Sequence, residues 1–216
     1  MILRDFQISA AGDSTQQRSL NWAAFPVAEA VRLDLKQRRP EAPFAKIQVT
    51  LRPDFDLEPR LHVTLGICEV FVRVDLDRLV ADLPATRSFV DLARSAMEVV
   101  GAHAGFLDPG INAVLTQCCE QVPPCQQRLD RLTRTTRDGI RCETWFVAEY
   151  GRSRVEARCF AGEVEILRSR LAEQVGPVIF EHWFPVARSR GSAGRYELLD
   201  RSGVRLAESP LPLRSS

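Results

Sequence analysis

One run of strand-forming residues constrains the fold of this chain more than any other feature. The run is RLHVTLGICEVFVRV, from Arg60 to Val74. Along a strand, side chains alternate between the two faces, and here the apolar positions change face part-way along. The first face carries Leu61, Val63, Leu65 and Ile67, and the second carries Val70, Val72 and Val74. A change of phase indicates a bulge or bend between Gly66 and Glu69, or burial of both faces. We therefore predict one long strand that is central in its sheet.

Strand and helix patterns in the N-terminal half form separate blocks. MILRDFQIS and FAKIQVTL have the apolar spacing of strands, and a helix from about Trp22 or Pro26 to Lys36 lies between them. Three helices are predicted after Val74, over residues 75–83, 86–103 and 108–121. Asp108 is the expected N-cap of the last of them, with Pro109 in its first turn.

Strand patterns dominate beyond the QVPPC segment at residues 121–125. Asp138-Gly139 predicts a hairpin turn, and YELL and VRLAE predict a closing hairpin. GPVIFEHWFPVAR, residues 176–188, predicts a buried strand whose aromatic part FEHWF, residues 180–184, fills the core. The exception is the segment from Gly162 to Gln174, whose apolar residues have helical spacing and predict a helix.

This order of elements predicts an α+β fold. We expect a mixed or antiparallel sheet with helices packed on one side, and a β-rich C-terminal half. The expected parts are an α/β N-terminal part over residues 1–125, a β-rich part over 126–208 packed as one domain with it, and a loose tail over 209–216.

The amino-acid composition limits the classes of function that this chain can have. The 29 Lys and Arg residues nearly balance 28 Asp and Glu, so no net field draws the chain to nucleic acid or to a membrane. The N-terminus lacks the apolar core of a secretory signal, and no segment approaches the ~18 apolar residues of a membrane span. We expect a cytoplasmic protein whose six cysteines are reduced thiols. The spacing of CCEQVPPC fits a zinc site poorly, and we expect no metal and no cofactor.

The tetrapeptide HVTL is a candidate for phosphate chemistry. His62 and Thr64 share a strand face, where the imidazole can exchange a proton and the hydroxyl can donate a hydrogen bond. HVTL resembles one of the two H-x-[ST]-hydrophobic motifs of the two-histidine phosphoesterases. The resemblance implies a second such motif, but the segments at His103 and His182 read HAGF and HWFP. The alternative is a strand with a polar face.

Two charged segments are candidate binding surfaces. DFDLEP places Asp54, Asp56 and Glu58 at alternate positions, where an extended backbone puts all three on one face toward a basic partner. A solvated turn is the alternative. The arginine-rich segment 128–141 either contacts phosphate or forms cross-strand pairs with glutamates at positions 143, 149 and 156.

We therefore expect a non-catalytic protein of bacterial type that binds another protein. An immunity or inhibitor protein or an accessory subunit has this profile, with Asp54, Asp56 and Glu58 as the partner-binding residues. The alternative is a phosphoesterase-like enzyme, or an enzyme for a phosphate ligand, that uses His62 and Thr64.

Overall fold

The computed structural model describes residues 1–11, 15–53, 60–176, 183–192 and 194–211. These residues contain four α-helices: α1 Thr15–Arg38, α2 Leu76–Ala81, α3 Thr86–Ala104 and α4 Pro109–Glu120. The first six of their twelve strands are β1 Asp5–Ala10, β2 Lys46–Arg52, β3 Arg60–Thr64, β4 Ile67–Arg73, β5 Cys125–Arg128 and β6 Arg134–Thr135. The other six are β7 Ile140–Glu149, β8 Arg152–Ala161, β9 Val164–Val175, β10 Arg188–Ser192, β11 Arg195–Leu199 and β12 Arg205–Pro210. The sheets are mixed or antiparallel and the C-terminal half is strand-rich, which confirms the predicted α+β fold.

The chain divides into two compact units. The first unit comprises Met1–Cys125 and Ala148–Gly151, and the second comprises Gln126–Val147 and Arg152–Ser216. In the first unit a four-stranded sheet has the order β1-β2-β4-β3. Strands β1, β2 and β4 are parallel, and β3 is antiparallel to β4.

One face of this sheet forms the core of the first unit. Alternate residues of the three parallel strands are buried there, and helices α1 and α3 pack against these strands. These residues are Phe6, Ile8, Ile47, Val49, Leu51, Cys68, Val70 and Val72. Most of the intervening residues, such as Gln7, Gln48 and Glu69, are polar and lie on the opposite face of the sheet.

The prediction of one strand from Arg60 to Val74 is wrong. The segment forms a hairpin, with β3 and β4 joined by a two-residue turn at Leu65 and Gly66. Both turn residues have positive φ, 52° at Leu65 and 80° at Gly66, as a tight hairpin turn requires. The turn therefore causes the change of phase in the apolar pattern. Strand β4 is internal in the sheet, whereas β3 is at its edge.

Helix α1 begins earlier than the sequence predicts. Thr15 starts the helix, so Pro26 lies inside it rather than in its first turn. Proline removes one backbone donor, but the buried face of α1, which includes Leu20, Val27 and Val31, holds the helix together through packing. The predictions for α3 and α4 are confirmed, and the Asp108 carboxylate accepts a hydrogen bond of 2.8 Å from the Gly110 amide as the N-cap of α4.

The second unit is built from β-strands. One sheet has the order β5-β7-β8-β9 with β6 paired to β7, and a second sheet has the order β10-β11-β12. The buried Tyr196 of β11 connects the two sheets, because its hydroxyl lies 2.8 Å from the Thr144 hydroxyl of β7. Both predicted hairpins are present, one closed by the turn at Gly139 and one formed by β11 and β12. Strand β12 includes Ser209 and Pro210, the first residues of the expected tail.

The predicted helix from Gly162 to Gln174 is wrong, because this segment forms strand β9. It pairs antiparallel with β8 over its whole length, from Val164 to Val175. The register skips Ile166 and Leu171, so each of them is an extra residue in a β-bulge. Of the predicted strand over residues 176–188, residues 177–182 lie outside the described residues, and residues 183–187 do not form a strand. No helix in the described part of the chain is long and apolar enough to span a membrane.

Candidate functional site

His62 and Thr64 lie together on the exposed face of the edge strand β3. The His62 Nε2 atom is 2.6 Å from the Thr64 hydroxyl oxygen, so the two side chains form a hydrogen bond. Glu69 of β4 is directly opposite His62 in the register, and it accepts a hydrogen bond of 2.9 Å from Thr50. The structure therefore places a hydroxyl, an imidazole and a carboxylate on one open surface, with both His62 and Thr64 exposed to solvent.

A two-histidine mechanism needs a second imidazole across the reacting bond. His103 is in the last turn of α3, whereas His62 is on β3, and His182 lies outside the described residues. Neither of the two cavities described below is lined by His62. The arrangement provides one proton-exchanging group in open solvent, which differs from the enclosed site that favours acid–base catalysis.

The acidic residues Asp54, Asp56 and Glu58 lie outside the described residues. Their flanking strands are described: β2 ends at Arg52 and β3 begins at Arg60. The acidic segment therefore connects the carboxyl end of β2 to the edge strand of the same sheet.

All six cysteines are unpaired thiols, and Cys119 alone among them is not buried. Burial raises the pKa of Cys68 to about 11 and that of Cys118 to about 12, which keeps both thiols protonated and unreactive at neutral pH. Among the described residues, no group of three or more His, Cys, Asp and Glu side chains is placed to hold a metal ion.

The arginine-rich segment forms ion pairs within the second unit. Arg128 and Arg141 approach the same oxygen of the buried Glu143, at 3.3 and 3.2 Å. Arg134 donates instead to two backbone carbonyl oxygens, those of Arg131 and Thr133. Of the two interpretations of this segment, cross-strand pairing accounts for Arg128 of β5, whereas Arg141 lies on β7, the same strand as Glu143.

A cavity of about 780 Å³ in the first unit lies along α2 and the start of α3. Three aspartates line it, and each has a partner within the fold. Asp75 caps α2, Asp82 accepts a hydrogen bond from Ser88, and Asp91 pairs with Arg94. These contacts explain the carboxylates as helix-end and surface interactions, which need no ligand.

A smaller groove in the first unit has the composition of a binding surface. Its volume is about 390 Å³, and its lining comes from four separate segments of the unit: α1, the start of α3, the end of α4 and the turn after β7. The lining includes four prolines, Pro26, Pro84, Pro123 and Pro124. Val122 also lines the groove, and its side chain is 92% exposed.

Aromatic and charged side chains complete this groove, which we call the proline groove. Tyr150 lines it and is 41% exposed, and the Trp22 ring packs against the neighbouring Gly151, where an added Cβ would lie 3.5 Å from the ring. Arg87 and Glu149 place one charge of each sign in the lining, and Cys119 adds a thiol. The sequence interpretation missed this groove, because its prolines are read individually as helix breakers.

No protein-family model matches this chain, and comparisons with curated proteins and with solved structures find no similar protein.

Proposed function

We propose that the chain is a non-catalytic protein that binds another protein, with the proline groove as its contact surface. The observation that carries the proposal is Val122, a large apolar residue 92% exposed beside a cavity of about 390 Å³. Val122 shares this groove with Tyr150, which is 41% exposed, and with four prolines, and apolar surface gathered in one groove is typical of an interaction site.

The lining of the groove supports a protein partner. Tyrosine, tryptophan and arginine are the residue types that contribute most to binding energy at protein interfaces, and Tyr150, Trp22 and Arg87 lie in or beside the groove. Proline fixes one backbone dihedral, so four prolines keep the groove in shape before a partner arrives. The partner would insert an apolar side chain between Val122 and Tyr150.

Immunity or inhibitor proteins and accessory subunits of bacterial type are the roles that we propose for such a chain. The unpaired state of all six cysteines supports a reducing compartment, and we propose the cytoplasm. Asp54, Asp56 and Glu58 are the proposed contacts for a basic region of the partner. Charges at the rim of an interface chiefly accelerate encounter, whereas a central apolar groove determines how long the complex lasts.

The half-buried thiol of Cys119 permits a direct test. A short thiol-reactive photo-crosslinker added to the native protein should attach at Cys119, because the other five thiols are buried. Irradiation in an extract of the native cell, followed by mass spectrometry, should identify a protein joined to Cys119. The matched control replaces Cys119 by serine and introduces Val204→Cys, at an exposed apolar position of the second unit.

The proposal requires a protein that crosslinks from Cys119 and not from the control position. Tyr150→Ala and Val122→Ser, with Cys119 retained, should each reduce its yield. Equal crosslinking from both positions, or yields that the groove substitutions leave unchanged, would refute the proline groove as the contact surface.

A phosphate-ligand enzyme is the second candidate, favoured by the 2.6 Å contact between His62 and Thr64. Phosphodiester hydrolysis by the purified chain that disappears in His62→Ala and is weakened in Thr64→Val would replace the first proposal. Binding at the proline groove should be unaffected by either substitution.

A further inference from the structure

The outer edge of β3 presents backbone groups that no described strand pairs with. At the two ends of β4, the Gly66 carbonyl accepts a hydrogen bond from the Ala45 amide, and the Val74 amide donates one to the Arg52 carbonyl, so the backbone groups of the even-numbered residues from 66 to 74 point toward β2. The odd-numbered residues of β4 therefore point toward β3. Their partners are Arg60, His62 and Thr64. It follows that the N–H and C=O groups of Leu61 and Val63 point outward.

This edge has little protection against pairing beyond its short length of five residues and Arg60 at its start. Natural edge strands are commonly protected by charged side chains, prolines or bulges. Strand β9, the outer strand of the larger sheet in the second unit, has two bulges and exposed Arg168, Arg170 and Glu173. Residues Leu61 to Leu65 contain no proline, no bulge and no Lys, Arg, Asp or Glu. The chain thus protects one long outer edge and leaves a short one open.

The turn beside this edge is unfavourable for an isolated protein. Leu65 has φ of +52°, a conformation that suits Gly or Asn, and its side chain is 97% exposed. Leucine there costs backbone strain, and its exposure leaves almost no compensating contact with the described part of the chain. Val63 of β3 is also exposed, at 47%. A contact with another chain at this edge would account for both residues.

We propose that a second copy of this chain occupies the edge, with the two β3 strands antiparallel about a two-fold axis at Val63. In this register Val63 pairs with Val63 of the second copy, Leu61 with Leu65, and His62 with Thr64. Each of the apolar residues Leu61, Val63 and Leu65 then lies opposite an apolar residue of the other copy. The outward N–H and C=O groups of Val63 in the two copies form hydrogen bonds with each other. No pair of like charges is opposed.

The size of this contact determines how strong the dimer is. A stable interface buries about 1,200–2,000 Å², and a strand pair of five residues on each side covers less. The dimer is therefore weak and forms at high protein concentration. It would present two proline grooves, so that a partner with repeated binding segments gains from avidity.

Sedimentation velocity of the full purified chain, over about a hundred-fold range of concentration, tests the proposal. The wild type should change from monomer to dimer, and Leu65→Asn should weaken the dimer by about tenfold or more, since each copy loses a buried leucine contact. Val63→Pro should abolish the dimer by removing the outward N–H, which an edge strand tolerates. Val63→Ala keeps that N–H and should retain a weaker dimer.

Two further measurements keep the outcome decisive. Circular dichroism of each variant should match the wild type, and Leu65→Asn favours the turn conformation, so its effect stands even if Val63→Pro misfolds. In a Cys119→Ser background, Val63→Cys should form a disulfide between copies faster than Val204→Cys does. Any of three results would overturn the proposal. The wild type could stay monomeric over the whole concentration range, or the dimer could keep its strength in Leu65→Asn. The third result is a disulfide between copies that forms at His62→Cys and not at Val63→Cys.

Discussion

Replacing the exposed Leu65 by asparagine should stabilise the monomer, although it removes a large apolar residue. An L-residue in the left-handed conformation costs about 1–2 kcal/mol, and Asn adopts this conformation much more readily than Leu. Leu65 is 97% exposed, so almost no burial is lost. The change also creates Asn-Gly with Gly66, the preferred pair for a two-residue hairpin turn. We expect the free energy of unfolding to rise by about 0.5–1 kcal/mol.

For a chain of this length, 1 kcal/mol corresponds to about 2–4 °C in melting temperature, so the expected rise is about 1–4 °C. Thermal unfolding followed by circular dichroism at high dilution measures it without a contribution from association. Leu65→Ala is the matched control, because it removes the same side chain and keeps a Cβ in the strained conformation. Its melting temperature should stay near that of the wild type. A lower melting temperature for Leu65→Asn would mean that the leucine packs within the chain, and the reasoning about its exposure would fail.

Three other substitutions or measurements test the core and the thiols. Val72→Asp should destabilise the chain by more than about 3 kcal/mol in urea unfolding, since it buries an unpaired charge, whereas the exposed Arg73→Asp should cost less than about 0.5 kcal/mol. Tyr196→Phe should cost about 1–3 kcal/mol, because the Thr144 hydroxyl and the Leu132 carbonyl oxygen both lose its hydroxyl as a partner. Titration with a thiol reagent should show one fast thiol in the native protein, at Cys119, and six after denaturation without reductant; fewer than six would contradict the unpaired state.

Local patterns in the sequence predicted the elements whose determinants are local. The stripe of apolar residues in α3 and the Asp108 cap of α4 depend on neighbours within a few turns of helix. The β3–β4 hairpin was missed because its turn is Leu-Gly rather than Asn-Gly, so the sequence indicated a bulge or bend near Gly66 but not a reversal of the chain. The same unfavourable turn is what points to a contact outside the chain.

Pairing between strands and contacts between distant segments account for the other differences between the predicted and the observed structure. Strand β9 was predicted as a helix because the extra residues Ile166 and Leu171 interrupt its two-residue alternation and leave apolar residues at helical spacing. Antiparallel pairing with β8, which the two residues Gly162 and Glu163 join to β9, holds the segment as a strand. The proline groove combines segments from α1 to the turn at Tyr150, more than a hundred positions apart, so no window of sequence contains its pattern.

The acid sensitivity of the second unit should depend on Glu156 of β8. Its carboxylate accepts hydrogen bonds from Arg154 at 2.7 Å and from Arg158 at 2.9 and 3.2 Å. Burial acts to raise the pKa of Glu156, but the hydrogen bonds and charges of the two arginines together outweigh it and lower the pKa below its ordinary value. Arg158 is itself fixed, since its guanidinium lies 4.2 Å above the Trp145 ring.

A folded-state pKa below the unfolded one means that Glu156 contributes stability at neutral pH. The contribution is complete above the unfolded pKa, about 4.3, and disappears as the pH falls through the folded value. Urea unfolding from pH 7 to pH 3 should therefore show that Glu156→Gln is less stable than the wild type at pH 7, and that the difference shrinks below about pH 4.3. Arg158→Met removes one partner of Glu156, so the pKa of the carboxyl rises and stability should begin to fall at a higher pH than in the wild type. Parallel pH profiles for the wild type and Glu156→Gln would show that the arginines do not hold this carboxylate ionised.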